Sequence, residues 1–122
     1  MDSSEAVTAP FAGQHQVDNA RTALTALRGL AVAAPDVSGA VWPGRLQTIQ
    51  DRPEIVLDGA HNPAGARALA AYIQQHYAGR TVRLVYGAMR DKSVQEITEI
   101  LFPLAVEVIL TAPASPRAVR PE

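Results

Sequence analysis

The chain has 122 residues, of which 48% are apolar, a length that supports one domain with its own core or a small domain with a piece of another. Its 11 Lys and Arg residues nearly balance 12 Asp and Glu residues, so no charge field points to a nucleic-acid or membrane partner. Because cysteine is absent, disulfides and thiolate metal sites are excluded and a reducing cytoplasm is permitted.

Residues 1–12 are small and polar and show no period. They lack the charged start and apolar run of a secretory signal peptide, and no apolar stretch of the chain reaches membrane-spanning length. We therefore predict a soluble, cytoplasmic protein.

Residues 14–33 form the first predicted helix. Apolar residues recur there at helical spacing and define one packing face, made of Val17, Ala20, Leu24, Leu27 and Ala31. Pro35 and Ser38-Gly39 end the helix and begin a linker. The sequence thus predicts a boundary near residues 34–39, between an amino-terminal segment (1–38) and an α/β domain (39–122).

The second segment alternates predicted strands and helices. After a modest strand candidate at 45–50, the pattern is β-α-β-α-β, with strands at 54–57, 81–86 and 106–111 and helices at 62–77 and from 93. The strand at 54–57 is expected to be buried. Such alternation implies right-handed crossovers and a parallel sheet, so the ends of the three strands (at Asp58, Gly87 and Thr111) are expected to share one edge.

Both helices carry start signals. Asn62 suits an N-cap and Pro63 the first helical position, while Ser93-Val-Gln-Glu96 has the pattern of a capping box. No further core element follows Thr111, and a three-stranded sheet has two exposed edges. The fold class predicted is therefore a Rossmann-like α/β domain with a mainly parallel sheet and flanking helices, incomplete at its carboxyl end.

Asp58 and His61 combine an acid and an imidazole at the end of a strand, beside a helix N-terminus that favours anions. Ligands bind at this edge of open α/β sheets, and a carboxylate there suits a ribose. Arg45, after Pro43-Gly44, is positioned to clamp a phosphate with two hydrogen bonds. Each residue alone also has a structural interpretation, as a turn cap, a helix start or a solvated surface residue.

Several chemistries lack support. The chain has neither Gly-x-x-x-x-Gly-Lys-Ser/Thr nor Gly-x-Gly-x-x-Gly, which disfavours autonomous nucleotide binding and a dehydrogenase. His15, His61 and His76 are not in metal-ligand spacing, and no nucleophile-elbow sequence is present. A metal site carried by this chain alone is not predicted.

Five motifs in order resemble the folylpolyglutamate synthase and dihydrofolate synthase family, a branch of the Mur ligase superfamily. They cover nearly the whole chain and are Gly13-Gln-His-Gln-Val-Asp-Asn19-Ala20, Trp42-Pro-Gly-Arg45-Leu46, Asp58-Gly-Ala-His61-Asn-Pro63, Asp91-Lys92 and Pro116-Arg117-Ala118. The first resembles the helix that closes the central ATPase domain of the family. The others resemble signatures of its carboxyl-terminal domain.

The resemblance implies ATP-dependent ligation of L-glutamate to a folate or to dihydropteroate through an acyl phosphate, within one-carbon metabolism. It assigns the adenine contact to Asn19, the ribose contact to Asp58 and the β/γ-phosphate contact to Arg45, which with His61 would act in catalysis. Lys92 and Arg117 would be secondary. The cofactors implied are ATP and Mg²⁺, with the metal ligands in the central domain.

The chain departs from the family pattern at Gln47, where an acidic residue is common, and at Ser93, where Asp is frequent. It also lacks the phosphate loop of the central domain, so the resemblance implies a ligase fragment that is inactive alone. The alternative is a non-catalytic α/β module that binds a nucleotide or a partner. The sequence leaves the folate form, the oligomeric state and the balance between the two synthase activities open.

Overall fold

The computed structural model describes residues 11–33, 36–90 and 93–120 and divides the chain into two compact units. The first unit ends at Gly59 and contains, in chain order, α1 (Gln14–Gly29), β1 (Gln47–Asp51) and β2 (Glu54–Leu57). The second begins at Ala60 and contains α2 (Pro63–His76), β3 (Arg83–Tyr86), α3 (Val94–Leu101), a 3-10 turn (Phe102–Leu104) and β4 (Glu107–Leu110). The division at 38/39 into domains of a longer protein stays a prediction.

Helix α1 begins where expected and ends earlier than its apolar pattern suggests. Four residues of the predicted stripe are half-buried: Val17, Ala20, Leu24 and Leu27. The fifth, Ala31, is exposed and adopts a left-handed φ of 54°, which is incompatible with continuing the helix. The helix stop predicted at Pro35 lies outside the described residues.

Strands β1 and β2 form an antiparallel hairpin, with Gln47 opposite Leu57 and Asp51 opposite Glu54. The prediction that the strand at 54–57 belongs to a three-stranded parallel sheet is therefore wrong. Only Arg52 and Pro53 separate the two strands, and so short a connection permits antiparallel pairing alone, because a parallel pair needs a crossover. The modest strand candidate at 45–50 is confirmed as β1, shifted to Gln47–Asp51.

The prediction that the strand at 54–57 is buried is also wrong. Ile55 and Leu57 are exposed and Val56 is half-buried. A two-stranded hairpin covers neither of its faces by itself, so its apolar side chains need a further layer before they leave water.

Helix α2 begins as the sequence predicts. The Asn62 side chain accepts a hydrogen bond from Gly65 N–H at 2.8 Å, and Pro63 occupies the first turn, where its missing N–H is not needed. After Tyr77, Gly79 takes a positive φ of 75° in the turn towards β3. The helix signals read from the sequence are confirmed here.

Strands β3 and β4 are parallel and in register, from Arg83 beside Glu107 to Tyr86 beside Leu110, with α3 in the connection. Gly87 and Thr111 follow these strands and lie together: a Cβ on Gly87 would be 3.1 Å from the Thr111 carbonyl oxygen. The shared strand-end edge is thus observed for these two residues. Asp58 instead follows a strand of the other unit.

The capping box predicted at the start of α3 does not form, since no side-chain cap bond is made at Ser93 within the described part of the chain. The Glu96 carboxylate instead accepts a hydrogen bond from Arg67 Nη1 of α2 at 2.9 Å. An interhelical ion pair and a reach back to the Ser93 backbone compete for the same carboxylate, and the ion pair is observed.

The core of the second unit lies between α2 and α3. Its buried residues are Ala66, Ala70, Ile97 and Leu101. Alanines on the inner face of α2 allow α3 to approach closely, and Ile97, which is 1% exposed, is its largest fully buried side chain. This small core fixes the two helices that flank β3 and β4.

Replacing Ile97 with alanine is expected to reduce the unfolding free energy of the second unit by about 3 kcal/mol, because the change removes buried methyl groups and leaves a cavity. Urea unfolding of the 122-residue chain measures the loss. Ile109→Ala, the same change at a side chain that is 48% exposed, is the control and is expected to cost about 1 kcal/mol or less. Equal losses in the two variants would contradict this packing.

Tyr86 carries a buried hydroxyl that has no hydrogen-bond partner among the described residues, and its ring packs edge-on against Phe102 at 5.5 Å. Burial raises the pKa of Tyr86 above its ordinary value of 10.0, because the phenolate is the form that loses hydration. The unfolded chain therefore releases this proton at lower pH than the folded chain does.

Tyr86→Phe is expected to raise the unfolding free energy at neutral pH by about 1 kcal/mol, since it removes an unsatisfied buried hydroxyl. In the unmutated chain, the stability that depends on a neutral Tyr86 is present below pH 10.0 and is lost as the pH rises through the folded-state pKa. Tyr86→Phe should lack the part of the stability loss at alkaline pH that comes from ionisation of Tyr86. Urea titrations at neutral and alkaline pH measure both effects, and Tyr72→Phe is the matched control; a lower stability of Tyr86→Phe at neutral pH would indicate an unseen partner.

Candidate functional site

The loop before β1 in the first unit is fixed to the residues after β2. Gly59 N–H donates to the Gly44 carbonyl oxygen at 2.7 Å, and Leu46 N–H donates to Asp58 Oδ2 at 3.1 Å. On its other side, Gly44 N–H donates to Gln47 Oε1 at 2.9 Å. Arg45 therefore lies between two residues whose backbone groups are held.

The backbone of this loop takes conformations that few residues adopt. Gly44 has a φ of 74°, and Leu46, a buried residue, has a φ of 47°. A positive φ at a non-glycine residue costs free energy and persists only when its surroundings impose it. The Asp58 carboxylate, which accepts from Leu46 N–H, is one such constraint.

The Arg45 side chain is half-buried. Within residues 36–59 no hydrogen bond or ion pair engages its guanidinium. A guanidinium offers a planar fork of N–H donors that matches two oxygens of a phosphate or carboxylate. Arg45 is thus an anion-binding group on a fixed backbone.

Asp58 is half-buried and has a structural task. Its Oδ2 atom accepts the Leu46 N–H bond, so the turn-cap interpretation raised from the sequence applies at least to that oxygen. An ionised carboxylate has two oxygens and about four acceptor positions, so a cap on one oxygen does not exhaust its capacity.

The N-terminus of α1 lies beside the same loop. A Cβ on Gly13 would be 3.2 Å from Leu46 Cδ1 and 2.7 Å from His15 Cε1, so glycine is required there, and its φ of 95° agrees. Asn19, one turn further along α1, is exposed and donates from Nδ2 to Gln16 Oε1 at 3.3 Å. The first unit thus brings Asn19, Arg45 and Asp58 into one compact body.

His61 belongs to the second unit, where it is exposed and directly precedes the N-cap of α2. No acidic residue occupies the first turn of that helix, so its backbone N–H groups and dipole favour an anion. This is the environment that the sequence predicted for His61.

Arg117 lies in a segment tied to the loop after β3. Arg90 N–H donates to the Arg117 carbonyl at 2.8 Å, Val119 N–H donates to the Ala88 carbonyl at 2.9 Å, and Arg90 Nε donates to the Ala118 carbonyl at 3.2 Å. The Arg117 side chain is exposed. Lys92 and Asp91, the other motif at this loop, lie outside the described residues.

Residues 11–33, 36–90 and 93–120 contain no group of three or more His, Asp and Glu side chains that could hold a metal ion. In the same ranges, no helix is both long enough and apolar enough to cross a membrane.

Two residues that support the candidate site were given no role in the sequence analysis. Gln47 fixes Gly44, and Gln16, which is buried, contacts Asn19. Gln16 carried a detectable signal, because it is a polar residue next to Val17 on the face of α1 that the apolar pattern predicts to be covered. Gln47 stood out only as a departure from the family pattern, which does not reveal that its side chain binds Gly44 N–H.

Residues 44–122 match the family model described as Mur ligase, glutamate ligase domain. The match covers more than half of the chain, so the chain belongs to the Mur ligase glutamate ligase domain family. The expected α/β fold class of the Mur ligase carboxyl-terminal type is thereby confirmed.

The chain is 35% identical, over 90% of its length, to a dihydrofolate synthase/folylpolyglutamate synthase of Mycobacterium tuberculosis, of which it spans 25%. A structure of Mycobacterium tuberculosis folylpolyglutamate synthase complexed with ADP and AMPPCP aligns with a TM-score of 0.83 at 33% identity, over 93% of this chain and 27% of that one. A bifunctional folylpolyglutamate synthase/dihydrofolate synthase from Yersinia pestis, complexed with AMPPNP and Mn ion, gives 0.78 at 26% identity, over 98% and 30%. The resemblance stated from the motifs is confirmed.

Proposed function

We propose that this chain is the carboxyl-terminal part of an ATP-dependent ligase that adds L-glutamate to a folate or to dihydropteroate through an acyl phosphate. The observation that supports this most directly is the Leu46 N–H bond to Asp58 Oδ2 at 3.1 Å. It joins two of the three motifs to which the resemblance assigns ATP contacts, those of Arg45 and Asp58. The similar structures complexed with ADP, AMPPCP and AMPPNP support the same nucleotide class.

In this proposal Arg45 binds the β/γ-phosphates, Asp58 the ribose hydroxyls and Asn19 the adenine. Charge moves onto phosphate oxygens during phosphoryl transfer, so a guanidinium on a fixed loop stabilises the transition state. His61 is proposed to lie near the reacting carboxylate and phosphate, where the N-terminus of α2 also favours anions. Arg117 and Lys92 have secondary roles.

Mg²⁺ is proposed for the complete ligase, but the residues described here do not fit a metal site of their own. The metal ligands are assigned to another part of the ligase, and no role given to this chain depends on a metal bound to it. A cytoplasmic location completes the proposal, as the cysteine-free sequence permits.

The test is a chimaeric ligase in which this chain replaces the matching 25% of the Mycobacterium tuberculosis relative. ATP- and magnesium-dependent addition of L-glutamate to a folate or to dihydropteroate is the expected result. The parent enzyme, cut and rejoined at the same junctions, is the control, and gel filtration establishes that the chimaera is folded. A folded chimaera that turns over ATP with some other acceptor, but not with a folate or dihydropteroate, would contradict the substrate assignment.

Asp58→Ala in the chimaeric ligase is expected to raise the Michaelis constant for ATP about tenfold with a smaller change in kcat, because a ribose contact is nearly equal in the ground and transition states. Steady-state kinetics with varied ATP measure the split. Asp58→Asn keeps an acceptor for Leu46 N–H and separates the loop anchor from the ribose contact, while Asp51→Ala controls for loss of an exposed carboxylate. A change confined to kcat would rule out the ribose role.

A further inference from the structure

Gln16 is the buried polar residue of the first unit, with 9% of its surface exposed, within the ranges that the structure describes. A buried amide is tolerated when its polar atoms have partners. Both polar atoms of Gln16 do: Nε2 lies 3.1 Å from His15 Nε2, and Oε1 accepts from Asn19 Nδ2 at 3.3 Å.

The direction of these bonds follows from the chemistry of an amide. With the Gln16 amide in this orientation, its Nε2 atom is the donor, and the bond requires the His15 tautomer that carries its proton on Nδ1. The His15 ring is itself held against Gly13, where a Cβ would lie 2.7 Å from its Cε1 atom. The side chains of His15, Gln16 and Asn19 therefore form a hydrogen-bonded series in which the position of the His15 ring fixes the Gln16 amide, and the Gln16 amide fixes that of Asn19.

Its consequence is a defined orientation of the Asn19 amide. One Nδ2 hydrogen points to Gln16, which leaves the second Nδ2 hydrogen and the Oδ1 atom on an exposed side chain. This donor-acceptor pair matches adenine, whose amino group donates and whose N7 accepts. Guanine presents two acceptors at the same edge, so its O6 would face Oδ1.

We propose that Gln16 is a positioning residue that fixes the Asn19 amide in the orientation that selects adenine over guanine. The proposal rests on the proposed adenine contact of Asn19. Gln16 touches no nucleotide itself and acts through the hydrogen bond to Asn19.

The test is a titration of the 122-residue chain with ATP and with GTP, followed by NMR on the Asn19 side-chain amide and the backbone amides of α1. A good two-bond match discriminates between bases by about fivefold or more, so at least that preference for ATP is expected. Gln16→Leu should reduce the preference to about twofold or less and move the Asn19 amide signal towards that of a mobile side chain.

The matched variants separate positioning from packing. Gln16→Glu keeps an acceptor for Asn19 and is expected to keep the ATP preference, whereas a packing role would be met better by leucine than by a buried carboxylate. Gln14→Leu makes the same change at an exposed position of α1 and should leave the preference intact. If Gln16→Leu does not fold, His15→Phe removes the acceptor of the Gln16 amide and should lower the preference.

Each result has one meaning. Loss of the preference in Gln16→Leu with retention in Gln16→Glu supports the inference. Nucleotide binding with a preference that neither Gln16→Leu nor His15→Phe changes overturns the inference and leaves the proposed function standing. Binding of neither nucleotide by the unmutated chain overturns the Asn19 contact in the proposed function, and the inference with it.

Discussion

The 122-residue chain on its own is expected to release no phosphate from ATP and to add no glutamate to a folate. In the proposed function Asn19, Arg45, Asp58 and His61 contact the nucleotide or the reacting groups, but the chain contains no phosphate loop to hold the triphosphate in line for attack. Alignment of the reactants supplies about 7–11 kcal/mol of barrier reduction in well-oriented systems. Without it the rate falls below detection.

Calorimetric titration with ATP and magnesium, beside a phosphate-release assay, measures both expectations. A dissociation constant in the millimolar range is expected, and the chimaeric ligase at equal concentration is the positive control. Micromolar binding, or turnover by the isolated chain that disappears in Asp58→Ala, would favour the alternative from the sequence, a self-sufficient nucleotide-binding module.

Local signals in the sequence predicted local structure well. The start of α2 follows from two residues, because Asn62 has an acceptor at the right distance from Gly65 N–H and Pro63 needs no partner. Helix α1, α3 and strands β3 and β4 follow from periodicity in the same way. The short motifs indicated membership of the Mur ligase family, which the match over residues 44–122 confirms.

The pairing of β2 was not predictable by the same means. The alternation of strands and helices favours a parallel sheet, and that argument holds for β3 and β4, which α3 connects. It fails for β2 because β1 precedes it by a two-residue turn and is its antiparallel partner. The sequence showed β1 as a weak candidate, and a weak strand was enough to change the partner of a strong one.

The residues of the candidate site are predictions from the motifs, and the hydrogen bonds that support them were not predictable from the sequence. Motif matching gives Arg45 and Asp58, but it does not reveal that the Asp58 carboxylate binds Leu46 N–H, because Leu46 lies twelve positions earlier, at 46 against 58. Hydrogen bonds between residues distant in sequence are set by the fold. Gln16 differs, because its partners His15 and Asn19 are near in sequence, yet only the structure shows that its side chain is buried and contacts both of them.

Arg45→Lys in the chimaeric ligase is expected to lower kcat on the order of 100-fold while changing the Michaelis constant for ATP much less. Lysine keeps the positive charge and so retains most of the ground-state attraction to a triphosphate. It loses the planar fork that holds two phosphate oxygens at once, and that geometry matters most when charge builds on the transferring group.

Hydrogen bonds hold the backbone on both sides of position 45, so Arg45→Lys is expected to change the side chain without disturbing the loop. The bonds at Gly44 and Leu46 involve main-chain atoms, so a lysine at position 45 leaves them in place, and the far-ultraviolet spectrum and unfolding midpoint should not change. Arg52→Lys, in the exposed turn between β1 and β2, makes the same change away from the loop and should retain full turnover. Steady-state rates at saturating ATP compare the two. If the Arg45 guanidinium binds the ground state and the transition state equally, the substitution raises the Michaelis constant and spares kcat. That outcome would contradict a contact specific to the transition state and leave Arg45 a role in uniform binding alone.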